Sequence, residues 1–363
     1  MLFRSQKVVD YIFAREKGED YNEIEFDQVM TEAVNDTVRK QKKAGITIVS
    51  DGETSKISYA TYVKDRYHGF AGDSPRNAPA DLKKFPNYLQ KLANDGGTPK
   101  YARPMCVSKL EPKKNDDLIK DIDNLKKALK GNDIKKGFMN AASPGVISLF
   151  LQNDYYPSRE DYLEALSNLM QSEYEMIVKS GLDLQIDCPD LALSRHMLFN
   201  DMTDDEFVKV ASINIESLNN ALRNIPKDRI RIHICWGNYE GPHVCDISIS
   251  KMFETLMNVK TGHILFEAAN PRHAHEWEVF EEKKNLIPDD LILMPGVIDT
   301  TTNFVEHQNL VVQRLKNFTN IVGNERVIGS SDCGFGTFAG FGTIDPDIAY
   351  EKLKVLAEGA AKV

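Results

Sequence analysis

Seven short runs rich in β-branched residues recur along this chain, each followed by a much longer amphipathic stretch. The runs are ITIVSD (46–51), GFMNAA (137–142), LDLQID (182–187), RIRIHIC (229–235), HILFEA (263–268), LILMPGVID (291–299) and RVIGSSD (326–332). Between several of them lie helical patterns at Glu160–Ser180, Asp204–Asn224 and Asn303–Asn320. Strand–helix alternation on this scale builds βαβ units and a parallel sheet. Seven units predict a (β/α)₈ TIM barrel, with a doubly wound sheet as the alternative. The expectation is a single α/β domain spanning 1–363. An excursion at about 69–130 breaks the rhythm: it opens on GFAGDSPRNAPADLKKFPN and carries a strand-like piece, YARPMCVSKL.

The polar residues crowd at the C-terminal ends of these runs: Asp51-Gly-Glu53, Ser143-Pro144, Asp187-Cys-Pro, His233-x-Cys235, Glu267, Asp299 and Asp332-Cys333. In a parallel barrel those ends share one rim, where active sites of the fold are built. Residues far apart in sequence are thus expected in one pocket.

His233 and Cys235, at i and i+2, project from the same side of a strand. With Glu267 and Cys333 at neighbouring strand ends they make an N, O, S, S set that suits tetrahedral zinc. The alternative is that Cys235 and Cys333 are small buried hydrophobes. Structural zinc sites usually use closely spaced pairs such as C-x₂-C, whereas these ligands are dispersed along a catalytic rim. Zinc there is suited to binding a further sulfur. A free thiol, with a pKa of about 8.5, is only a few per cent thiolate at neutral pH, and coordination deprotonates it.

Composition excludes several other classes. The net charge is −9, and the lysines at 113–114 and 126–127 sit among acidic residues, so no nucleic-acid surface is expected. No run approaches the roughly 20 apolar residues of a membrane span, and the N-terminus lacks the pattern of a signal peptide. Five cysteines in 363 residues are too few for a disulfide framework and indicate a reducing, cytoplasmic setting. Self-association is left open.

The motifs VSDGE (49–53), LQIDCP (184–189), HIC (233–235), FEAANPRHAHEWEVFEE (266–282), PGVID (295–299) and SSDCGFGT (330–337) resemble the catalytic domain of cobalamin-independent methionine synthases. The length places the chain with the single-domain branch that includes epoxyalkane:coenzyme M transferases. The resemblance implies His233, Cys235, Glu267 and Cys333 as zinc ligands. It also implies that Glu53 and Asp187, with Asp51 beside them, bind the amine of homocysteine, and that Asp299 faces a methyl or alkyl donor of folate, corrinoid or epoxide type. The first reading is methyl transfer to homocysteine. The alternatives are 2-hydroxyalkyl-coenzyme M chemistry on another small thiol and a non-catalytic zinc- or thiol-binding relative.

Three departures from the family shape these expectations. Thr300, Thr301 and Thr302 follow Asp299 where the family carries an acid/base histidine, leaving His307 as a substitute or a plain helix residue. The insertion WGNYEGPHVCD (236–246) offers Glu240 and His243 as acid/base groups or forms an ordinary loop. The chain opens just past the position of the family's first strand and Gly-Ser loop, so the expectation is either a start assigned too late or a barrel that lacks that strand. Elsewhere, Cys188 is expected to be a buried inert thiol, His273 and His275 to be exposed, His68 to be packed, and GFGTFAGFG (334–342) to be a loop over the pocket.

Overall fold

The computed structural model describes residues 2–74, 78–94, 101–114, 116–342 and 344–363. All seven expected runs contribute a strand to one parallel sheet. They are β1 (Ile48–Val49), β4 (Lys136–Ala142), β5 (Asp183–Asp187), β6 (Ile230–His233), β7 (His263–Phe266), β8 (Ile292–Ile298) and β9 (Ser330–Ser331). The sheet order is β1-β4-β5-β6-β7-β8-β9, with every pair parallel. Sequential neighbours joined by helices are the signature of βαβ winding, and the sheet curls into a TIM-type barrel.

The curl does not close. Among the described residues β1 and β9 each pair on one side only, and both line the same interior cavity. Among the described residues no strand fills the seam between them. Leu2 sits at its upper end, where its N–H donates to the Gly52 carbonyl at 3.2 Å. Arg4 fixes that end further by donating to the backbone oxygens of Glu53, Thr54 and Lys56.

The helices form where the sequence provides both a cap and an apolar stripe. Helix Glu23–Lys43 starts at Asn22, whose side chain accepts from Ile24 and Glu25, and buries Phe26, Val29, Met30, Val34 and Val38 along one face. Helix Asp204–Ala221 opens with a Thr203/Glu206 capping box. His307 caps helix Gln308–Val322 by accepting from Asn309 N–H, a local role that the lone histidine in the sequence did not reveal.

The excursion is smaller than the sequence suggested. Its centre is an antiparallel pair, β2 (Tyr67–Ala71) with β3 (Met105–Pro112), and two helices, Ala80–Lys83 and Pro86–Asn94. The stretch Asp116–Gly131 is instead a barrel helix, packed on Glu23–Lys43 and crossing back to β4. Arg66 anchors the excursion: its guanidinium pairs with Glu173 at 2.8 Å and Asp121 at 2.6 Å, all three buried. Among the described residues, no helix is long and apolar enough to cross a membrane.

Candidate metal centre

β6 ends at His233, and Cys235 follows two residues on. Cys333 lies just past β9, the sheet's free edge. The imidazole and two sulfurs offer ligand atoms that all lie within 4.8 Å of one another, and among the described residues this is the one such cluster. The Cys235 and Cys333 sulfurs are 3.8 Å apart. Two thiolates on one zinc at about 2.3 Å and a tetrahedral angle stand roughly 3.8 Å apart, so the donor set fits that ion.

The surroundings orient these donors as a metal site requires. His233 Nδ1 faces Asp187 Oδ1 at 2.8 Å, which leaves Nε2 on the sulfur side. Asn140 donates to the other Asp187 oxygen at 2.9 Å. A carboxylate behind a histidine fixes its ring and raises its basicity. The Gly237 N–H donates to Cys235 Sγ at 3.3 Å.

The electrostatics follow from crowding these groups in a dry place. The Cys235 thiol donates to Cys333, which holds the Cys333 sulfur well below the ordinary thiol range and Cys235 well above it. Burial alone would lower His233, but the charge on Cys333 and the bond to Asp187 outweigh it and raise it well above its usual value. For Asp187 the His233 partner outweighs burial, so the carboxylate is held below its usual range.

Glu267 stands beside this cluster but outside it. Its Oε1 accepts from Trp236 N–H and its Oε2 from the Asn270 amide, both at 2.8 Å. Burial pushes its pKa up to about 7. Asp332 explains much of the AANP motif. Its carboxylate accepts backbone N–H bonds from Ala268, Ala269 and Asn270 and a fourth bond from the Asn270 side chain. Gly296 makes this approach feasible, since a Cβ there would meet Asp332 Oδ1 at 2.1 Å.

The remaining expected site residues divide into two groups. Glu53, Asp187 and Glu240 line one cavity of about 1750 Å³ together with the three donors. Glu53 adopts a positive φ of 54°, uncommon for a side-chain-bearing residue. It pairs through Oε1 with Lys56 at 3.0 Å, and its buried Oε2 has no partner among the described residues. Asp51, Asp299 and His243 do not line the cavity. Asp51 Oδ1 accepts from Glu53 N–H, which shapes the turn; burial raises its pKa to about 6.

Asp299 was expected to face the donor. Its two oxygens instead accept four bonds from the N–H and hydroxyl groups of Thr301 and Thr302, so its geometry is that of a loop cap. His243 likewise spends both ring nitrogens locally, on Asp246 Oδ2 at 2.9 Å and on the Tyr239 carbonyl at 3.0 Å.

The sequence reading missed the way the insertion is fastened. Tyr239 Oη donates to Asp81 of the excursion at 2.5 Å, His243 N–H bonds the same carboxylate, and Tyr88 Oη donates to the Glu240 carbonyl. His273, expected at the surface, is buried between Asp246 at 3.0 Å and Glu276 at 2.8 Å. Burial would lower it, but these two acids hold it at about 10. Its ring lies 4.4 Å from that of Trp236, which carries the N–H to Glu267. His68 is exposed and not packed, whereas Cys188 is fully buried as expected. The 334–342 loop lines the cavity, and Phe338 forms an aromatic wall with Tyr59 and Tyr101.

Comparison with known proteins agrees with the sequence motifs. No protein-family model matches the chain. A methionine synthase of Thermococcus kodakarensis is 25% identical over 93% of this chain and 84% of its own length. A 2-hydroxypropyl-CoM lyase of Xanthobacter autotrophicus is 23% identical over 92% of this chain and 86% of its own. In fold, the chain matches a putative vitamin-B12 independent methionine synthase from Listeria monocytogenes (TM-score 0.70, 16% identity, 99% and 95% coverage). It also matches a B12-independent methionine synthase from Shewanella sp. W3-18-1 (TM-score 0.69, 19% identity, 95% and 90% coverage). Over nearly its whole length the chain is similar to methionine synthases and to a 2-hydroxypropyl-CoM lyase, and it shares its fold with B12-independent methionine synthases.

Proposed function

We propose that this protein is a zinc-dependent alkyltransferase that moves a methyl or other alkyl group onto a small thiol, with homocysteine as the first acceptor to consider. The observation that carries this reading is the cavity itself. It is lined both by the His233/Cys235/Cys333 donor set and by Glu53, whose buried Oε2 has no partner among the described residues.

Zinc held by these three residues, with Glu267 as the adjoining fourth ligand, would supply the Lewis acidity that keeps an acceptor thiol deprotonated at neutral pH. The chain's own groups do the positioning. Asp187 and Asn140 lock the His233 ring, and Glu53, through its buried Oε2, binds the acceptor's ammonium. Trp236 N–H and Asn270 fix the Glu267 carboxylate beside the donor set. The donor then lies against Tyr59, Tyr101 and Phe338. Holding donor and acceptor in line lowers the barrel's remaining chemical barrier through orientation.

The second reading, a 2-hydroxyalkyl-coenzyme M type of reaction, gains from the state of Asp299 and His243. With both committed to loop bonds, His233 is the one histidine lining the cavity among the described residues, and its ring belongs to the donor set, so no imidazole stands ready to protonate a folate leaving group.

The test is thiol alkylation by zinc-loaded protein. Homocysteine would be offered with methyltetrahydrofolate or a methylcorrinoid, and 2-mercaptoethanesulfonate with a short epoxide. Thioether formation that disappears in Cys235→Ala supports the reading. No thioether from either acceptor, in protein that has taken up zinc, would overturn it.

A further inference from the structure

Arg231 precedes His233 by two residues on β6 and projects from the same face, about 7 Å down the strand. Gln185 is its register partner on β5, and Asn140 is in turn the partner of Gln185 on β4. All three line the cavity that holds the metal donors.

Arg231 is 6% exposed, and among the described residues its Nε and Nη1 have no hydrogen-bond partner. Its guanidinium stacks on Phe138 at 3.8 Å. The nearby carboxylates are committed elsewhere: Asp187 to His233 and Asn140, Asp183 to Arg229. Gln185 Oε1 is also buried without a partner.

A cation out of water is costly unless an anion or a set of acceptors faces it. A guanidinium presents a planar fork suited to carboxylate, sulfonate or phosphate oxygens. A buried guanidinium on a cavity wall, with the Nε2 donors of the Gln185 amide beside it in register, is a built half-site for such a group.

We propose that the cavity floor at Arg231 and Gln185 binds the anionic group of the acceptor, so that the acceptor is a short thiol bearing a carboxylate or sulfonate. The inference rests on the thiol-acceptor reading for the identity of the ligand. The anion site itself stands on Arg231 and Gln185. The strand spacing sets the reach, since sulfur at His233 and oxygen at Arg231 are bridged by a chain of a few carbons.

The experiment uses sulfur-free probes on the full-length protein, with and without zinc, at constant ionic strength. Butanoate and propane-1-sulfonate are titrated while thermal unfolding is followed, with butan-1-ol as the neutral control. Either anion should raise Tm saturably where butan-1-ol does not, and the stronger of the two identifies the headgroup. Arg231→Gln should weaken the apparent affinity at least tenfold, and Arg231→Lys should recover part of it. Should Arg231→Gln fail to fold by circular dichroism, Gln185→Met should still weaken binding severalfold. Equal Tm shifts from anion and alcohol, or undiminished anion binding in the variants, would overturn the proposal. The anion response is read without thiol and without metal. Its failure therefore leaves the zinc reading standing, and a protein that takes up no zinc still shows it.

Discussion

The sulfurs of Cys235 and Cys333 lie 3.8 Å apart across 98 positions of sequence, one following a central strand and the other the free edge of the sheet. Neither lies in a local motif with the other, so the barrel's curvature creates the pair. The zinc content of wild-type protein is expected to be about one ion per chain, and Cys333→Ser should lose most of it. Elemental mass spectrometry after dialysis measures both. A wild-type protein that stays metal-free after reconstitution would remove the basis for thiol activation.

Asp187 holds His233 from behind at 2.8 Å. Replacing such a supporting carboxylate costs roughly 10- to 100-fold in metal affinity. Asp187→Asn is therefore expected to bind zinc 10- to 100-fold more weakly, as read by competition with a chromogenic chelator. Unchanged affinity would mean that the pair serves only the apo fold.

Asp190 provides a test of pH dependence away from the metal donors. It is buried, accepts from Ser143 Oγ at 2.6 Å and from Asn214 Nδ2 at 3.0 Å, and its pKa is pushed by burial from 3.8 to about 6. A carboxyl raised in this way binds its proton more tightly when folded. Its stabilising contribution is thus complete below pH 3.8 and lost as pH rises through about 6. Wild type should lose about 2–3 kcal/mol across that window relative to Asp190→Asn. Urea unfolding of both proteins from pH 4 to 8 reads the difference; parallel curves would remove Asp190 as the source.

The Arg66–Glu173–Asp121 cluster joins the excursion to two barrel helices in a dry setting. Removing one partner strands a buried charge, at a cost of about 3–5 kcal/mol. Glu173→Ala should lower the urea midpoint accordingly, with a further contribution from Tyr62 and Tyr67, whose hydroxyls donate to the same carboxylate.

Amides on both sides of the seam, at 47–50 and 329–331, should exchange with solvent orders of magnitude faster than those at 184–187 and 230–234. The former belong to strands paired on one side and the latter to the centre of the sheet. Hydrogen exchange followed by mass spectrometry resolves the two groups. Equal protection would show that the seam is sealed in solution.

Much of this architecture was legible in the sequence because strand periodicity and strand ends are local signals. The seven β-branched runs are the seven strands of the sheet, and His233-x-Cys235 could be placed on one face by the two-residue repeat alone. What stayed hidden depends on partners that only folding supplies. Asp299 looked like a rim acid, yet the threonines at +2 and +3 tie up both its oxygens; that Asp-x-Thr-Thr capping pattern was open to reading. His273 looked exposed because Asp246, 27 residues away, is what buries its charge. The isolation of Arg231 is a property of its neighbours, and no pattern in RIRIHIC distinguishes it from a paired arginine.

The position of Cys333 just beyond β9 has a mechanical consequence. An ion shared between that edge and the end of β6 would span the arc β6-β7-β8-β9 like a chord across a bow. The chord's length fixes the bend of the bow. Flattening that part of the sheet draws the two sulfurs apart, so loosening of the edge would register as released metal before any strand had melted.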